Sequence, residues 1–164
     1  MTAERDSVQS VEPKGAPRLP PRLIIRAIWM LHRAAYRFTG GRLGLRSATE
    51  ERAGYLRLRT TGRRTGQERL SIVAYVPDGP NMVTVAMNGW AEAQPAWWLN
   101  LQARPEAVVD LADGSRTVTA RVADPDERAR AWSKLNGGAW GDLEAFTATR
   151  STETPIVVLE PRRS

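Results

Sequence analysis

The segment Thr60-Thr61-Gly62-Arg63-Arg64-Thr65-Gly66-Gln67 gathers the residue types that hold oxyanions. Glycines at both ends let the backbone approach a ligand closely. Two guanidinium groups offer paired N–H donors matched to phosphate, and Thr61 and Thr65 add hydroxyls. The spacing is not that of a Walker loop, which needs four residues between its glycines and a following Lys, nor that of a dinucleotide fingerprint. The same composition describes a solvated basic hairpin turn, and local chemistry alone leaves the two readings level.

A second cluster is Ala86-Met87-Asn88-Gly89-Trp90 followed by Pro95-Ala96-Trp97-Trp98-Leu99-Asn100-Leu101, where three of the chain's six tryptophans fall within nine residues. A flat apolar wall beside the amides of Asn88 and Asn100 suits a planar heterocycle, with stacking for its faces and hydrogen bonds for its edges. A core tryptophan cluster is the competing reading, and for Trp97 or Trp98 taken singly it is the favoured one.

Other chemistries lack their residues. Cysteine is absent and the single histidine, His32, cannot build a metal site or a triad, so it reads as structural. No metal is expected. The formal charge of +6 says that the surface attracts anions without saying which. No stretch approaches the about 20 apolar residues of a membrane span, because Arg22, Arg26, Arg33 and Arg37 interrupt the one candidate. The start shows no signal-peptide core, and with cysteine absent the expected compartment is the cytoplasm.

The elements that must carry these residues are legible in the pattern. Residues 1–20 have no hydrophobic period and read as a flexible tail, which leaves 21–164 as one domain. Across Arg22–Phe38 helical spacing gathers the four arginines on one stripe with Ile24, Ile28, Leu31 and Ala35 opposite, an amphipathic helix that would suit an anionic membrane surface or simply cover a sheet. Tyr55–Thr60 alternates with period two. Arg69–Val76, Met82–Met87, Ala107–Leu111, Arg116–Val122 and Ile156–Glu160 supply further strands, with turns at Pro77–Asn81 and Ala112–Ser115. Helices are expected over Ala96–Ala103, from an Asp124 N-cap to about Asn136, and over Asp142–Thr149. Helices inserted between hairpins imply an α+β fold with an antiparallel sheet or barrel.

Taken in order, Tyr36–Gly44, Leu58–Gly66, Asn88-Gly89, Pro95–Leu101 with Ala103 and Pro105, and Pro155–Pro161 resemble the deazaflavin-dependent nitroreductase family over about residues 30–161. The resemblance implies an antiparallel split β-barrel, of the type that also binds FMN, and coenzyme F420, an 8-hydroxy-5-deazaflavin with a phosphate and a glutamyl tail. By matching positions, Arg63, Arg64, Thr65 and Gly66 would hold the phosphate and nearby tail, assisted by Arg69, while Met87, Asn88, Trp97 and Asn100 would border the ring. The implied reaction is hydride transfer from reduced F420 to a small-molecule acceptor such as a quinone, which needs no nucleophile from the protein. Where nitroimidazole-reducing members carry tyrosines on the substrate side, this chain places Trp140, Leu143 and Phe146, so a more apolar acceptor is expected than a nitroimidazole.

Two alternatives compete: the same barrel with FMN, and a non-enzymatic basic module on a membrane or nucleic acid. Nucleic acid is disfavoured, because the tryptophans lie near asparagine rather than among Lys and Arg. The arginine stripe at Arg22, Arg26, Arg33 and Arg37 would place the enzyme peripherally on the inner membrane face.

Overall fold

In the computed structural model, residues 45–49, 52–88, 91–136 and 142–162 are described. The tail, the arginine-striped helix with His32, and Gly89, Trp90 and Trp140 lie outside the described residues. The period-two segments form six strands: β1 (Gly54–Thr61), β2 (Glu68–Asp78), β3 (Asn81–Val85), β4 (Glu106–Leu111), β5 (Gly114–Val122) and β6 (Ile156–Pro161). Three helices join them, α1 (Ala96–Ala103) between β3 and β4, and α2 (Pro125–Leu135) and α3 (Leu143–Ala148) between β5 and β6. Every strand pairing is antiparallel, and the order β1-β2-β3-β6-β5-β4 closes on itself through β1 and β4. The antiparallel α+β barrel expected from the sequence is therefore the fold.

Closure fixes an inside and an outside for each strand. On β1, Leu56, Leu58 and Thr60 are buried while Tyr55, Arg57, Arg59 and Thr61 are half-buried between them. The interior cluster takes Leu56 and Leu58, Val73 and Tyr75, Met82, Ala107, Val109 and Leu111, Val118 and Ala120, and Val157 and Leu159. α1 adds Trp97, Trp98 and Leu101 to the same cluster. A second cluster lies on the other face of β3 and β6, where Val83, Val85, Ile156 and Val158 meet Ala131 and Leu135 of α2 and Leu143 of α3. β6 is therefore covered on both faces, which is why Ile156-Val157-Val158-Leu159 is continuously apolar rather than alternating.

Two boundaries moved from their sequence expectation. β2 runs on through Pro77 and Asp78, which pair with Met82 and Asn81, so the turn shrinks to Gly79 and Pro80. β3 stops at Val85 instead of Met87, because the Met87 N–H turns back onto the Val85 carbonyl at 2.9 Å and the Ala86 N–H donates to Pro155. Pro95 is the N-cap of α1, outside its first turn.

The start of α2 is an acid-sensitive joint. Asp124 accepts from the Glu127 N–H at 2.8 Å while Glu127 accepts from the Asp124 N–H at 2.9 Å, a complete capping box. Arg121 of β5 donates twice to the same Glu127 carboxylate and once to Glu160 of β6 at 2.8 Å. The bidentate Arg121 contact first, then the Asp124 N–H, pull the Glu127 carboxyl down from 4.5 to about 2. A carboxyl whose folded value is depressed stabilises the fold fully above its ordinary value and loses that contribution as pH falls through the folded one. Glu127→Ala should cost about 1 kcal/mol at neutral pH, the usual cost of a lost cap with a half-exposed ion pair. It should also flatten the fall in melting temperature between pH 4.5 and about 2. Parallel acid limbs for variant and parent would contradict the assignment.

Candidate functional site

The oxyanion-type loop is the β1–β2 hairpin connection. Its stem is closed by Thr61 opposite Glu68 and by the Gly62 N–H donating to the Gln67 carbonyl at 2.8 Å. The Gly66 N–H then donates back to the Gly62 carbonyl at 2.8 Å, which needs Gly66 at φ 69°, a left-handed conformation that glycine adopts without a Cβ penalty. Among the described residues the N–H groups of Arg64 and Thr65 have no hydrogen-bond partner, and the side chains of Arg63, Arg64 and Arg69 have no carboxylate partner. All three arginines are exposed, and the neighbouring Glu68 carboxylate is engaged with Arg59 at 3.7 Å. Thr65 Oγ1 receives Arg69 Nη2 and the Gln67 N–H at 3.4 Å each, long enough to be exchanged for a better acceptor. Two backbone donors without a partner among the described residues, in a turn ending in the left-handed region and flanked by the guanidinium groups of Arg63 and Arg64, with that of Arg69 held only by its long bond to Thr65, have the make-up of an anion nest.

The barrel brings Asn100 to the base of this loop. Asn100 is 4 % exposed; its Oδ1 accepts from the Arg63 N–H at 3.1 Å and its Nδ2 donates to Thr60 Oγ1 at 3.1 Å. Both ends of the amide thus have protein partners at the base of the loop. Sequence spacing could not show this, because Thr60 and Asn100 are separated by 40 positions.

Trp97 and Trp98 stand nearly edge to face, their centroids 6.4 Å apart at 65°, with 8 % and 4 % of their surface exposed. Both belong to the barrel-interior cluster. Met87 packs against the other cluster, and Asn88 is exposed just beyond β3. On the substrate side, Leu143 is fully enclosed in the outer cluster and supports α3 instead of lining a surface, whereas Phe146 on the same helix is half-buried.

One tie between connections had no motif to reveal it. The Glu92 carboxylate receives the N–H and hydroxyl of Ser151 at 3.1 Å each and those of Thr152 at 3.3 and 3.1 Å. Arg150 donates to the Glu92 carbonyl at 3.1 Å. The Ser151 N–H, more than the other donors, holds the Glu92 carboxyl below its ordinary value. The segment after Asn88 is thereby tied to the approach to β6. The only sequence trace is a run of small hydroxyl residues, Ser151-Thr152, which is not specific.

A phosphate-bearing ligand fits this arrangement. The donors that it would need are free in the loop, and the loop is braced from below by a buried amide. The fold is that of a split-barrel oxidoreductase. The chain belongs to the F420H(2)-dependent quinone reductase family, whose model matches residues 29–161. It is 33% identical over 134 residues to an F420H(2)-dependent quinone reductase of Mycobacterium tuberculosis (strain ATCC 25618 / H37Rv), covering 80% of this chain and 89% of that one. Among solved structures it is similar to an F420-H2 dependent reductase at a TM-score of 0.58 and 23% identity, covering 65% of this chain and 93% of the other. A chain described as a domain-swapped dimer aligns at a TM-score of 0.61 and 21% identity, covering 82% and 99%. Coenzyme F420 is the cofactor that family membership assigns, and neither FMN nor a non-enzymatic role finds support in these relatives.

Gly66→Ala isolates the loop geometry. An added Cβ meets nothing within 4 Å, so the cost is the left-handed backbone alone, about 1 kcal/mol in a denaturant titration. Gly66→Asn should cost less, because asparagine tolerates that conformation; equal losses would point to a cause other than φ.

Proposed function

We propose that this enzyme reduces an apolar, quinone-type acceptor at the expense of reduced F420, and that the loop Arg63-Arg64-Thr65-Gly66, with Arg69, holds the phosphate and the adjoining tail. The observation that carries the reading is the set of donors in that loop that have no partner among the described residues, the backbone N–H groups of Arg64 and Thr65 and the guanidinium groups of Arg63 and Arg64, braced against α1. When bound, the reduced deazaflavin supplies the hydride. Met87, Asn88 and Trp97 are assigned to the ring side, where an apolar wall and one exposed amide orient a planar heterocycle. Asn100 contributes from behind the loop. Trp140 and Phe146 are assigned to the acceptor side; neither carries a phenolic donor, which favours a quinone over a nitroimidazole. No side chain is needed as nucleophile. Arg22, Arg26, Arg33 and Arg37 are proposed to rest the protein on the anionic inner face of the membrane, where lipid-soluble quinones reside.

Titration of the pure protein with F420 should quench the cofactor's fluorescence, and Arg63→Ala with Arg64→Ala should weaken that binding by about 2–3 kcal/mol, the strength of one or two charged hydrogen bonds. Unchanged affinity in the double variant would remove the loop from the cofactor site. With reduced F420 supplied, a quinone should be reduced faster than a nitroimidazole; the opposite order would sink the acceptor assignment. Membrane contact predicts co-sedimentation with anionic vesicles that neutral vesicles do not reproduce and that salt suppresses.

A further inference from the structure

Asn100 lies one helical turn beyond Trp97 on α1, and both face the buried side of that helix. Its amide connects three elements. Nδ2 donates to Thr60 at the end of β1, Oδ1 accepts from the Arg63 N–H in the loop, and Thr60 Oγ1 in turn reaches the Arg69 carbonyl on β2 at 3.5 Å. Among the described residues the Arg63–Asn100 bond is the one hydrogen bond between α1 and residues 63–66. Thr60, at 2 % exposure, and Asn100, at 4 %, are buried polar groups that satisfy one another, and the Asn100 Nδ2 has Thr60 as its one partner among the described residues.

We infer that Asn100 is a positioning residue that sets affinity for the phosphate-and-glutamyl tail of the cofactor by fixing the loop against α1, and that it acts without touching the deazaflavin ring. The inference rests on the reading of the loop as the phosphate clamp. Its physical basis is preorganisation. Holding the Arg63 N–H on Asn100 fixes the loop backbone in which the next two N–H groups, of Arg64 and Thr65, have no partner among the described residues, so that the anion does not have to order them. The same helix that carries Trp97 therefore determines how far the ring wall stands from the tail clamp.

The test compares two ligands, F420 itself and the 8-hydroxy-5-deazaflavin that carries ribitol but neither phosphate nor glutamyl tail. Asn100→Ala should weaken F420 by about tenfold, the value of one neutral hydrogen bond, and leave the tail-less compound within about twofold of the parent. In the protein without cofactor, the Arg63 amide should exchange with solvent faster than in the parent. Thr60→Ala should reproduce part of the loss for F420 alone and Thr60→Ser should restore it. In the Arg63→Ala, Arg64→Ala background, Asn100→Ala should cost less than in the parent, because the loop through which it acts is already disabled.

Equal weakening of both ligands would place Asn100 at the ring and overturn the inference, as would an Asn100→Ala protein that binds F420 like the parent. Should Asn100→Ala fail to fold, Thr60→Ala carries the same two-ligand comparison with the same consequences. The two levels of the argument fail differently. If the Arg63, Arg64 double variant keeps full affinity, the clamp itself is wrong; if that variant loses affinity while Asn100→Ala does not, only the positioning role falls.

Discussion

Closure of the sheet through β1 is the constraint on which the site depends. β1 is hydrogen-bonded along both edges, to β2 over Gly54–Thr61 and to β4 over Arg57–Thr60. It therefore cannot slide without breaking two ladders. On the outer face the seam is reinforced where Arg57 and Asp110 are direct cross-strand partners, with Nε 2.7 Å from the carboxylate and Ser115 donating to the other oxygen at 2.6 Å. Burial pushes the Asp110 carboxyl up, but Ser115, Arg57 and Arg59 together outweigh it and hold the group below its ordinary value. The strand is also pinned at its start, where a Cβ on Gly54 would come within 2.6 Å of backbone atoms of Arg46 and Ala48. A strand fixed at its start and along both edges delivers the residues beyond Thr61 to one place.

What it delivers is an inversion of polarity within two residues. Thr60 still points into the barrel, while Arg63 and its neighbours stand in solvent. The transition requires a partner for the last inward polar group, and α1 provides it through Asn100. A buried amide with two partners is inexpensive compared with one that has none, since leaving Thr60 or the Arg63 N–H unpaired would cost about 1–3 kcal/mol. The polar joint is therefore confined to a single amide in a helix whose other buried residues, Trp97, Trp98 and Leu101, are apolar. Specificity of position and stability of packing come from the same turn of helix.

Charge is distributed to match. The arginines that serve the scaffold, Arg57, Arg59 and Arg121, have carboxylates within 2.5–3.7 Å, whereas Arg63, Arg64 and Arg69 have none among the described residues. A net charge of +6 is thus not a uniform coat but is partly concentrated in unpaired donors at one hairpin. The carboxylate of Glu92, by its bonds to Ser151 and Thr152, serves as a tie between two connections.

The sequence by itself determined the strands, the helices and the loop, because each is encoded locally. Period-two alternation marks β1, Asp-Pro with following acids marks the start of α2, and glycines around two arginines mark the turn between β1 and β2. The continuous apolar run of β6 also announced a strand, although only the packing of α2 and α3 on its outer face explained why it does not alternate. The ordered resemblance along the chain named the family and its cofactor. What the sequence could not decide was which residues stand behind the loop and which in front of it. Asn100 is 40 positions from Thr60 and Glu92 is 59 from Ser151, and no periodicity reports pairs so distant. For the same reason Leu143 looked available to a substrate until α3 was seen to press it into the core. Residue type fixes what a side chain can bind, but only closure of the barrel decides whether it faces water, a ligand or another part of the chain.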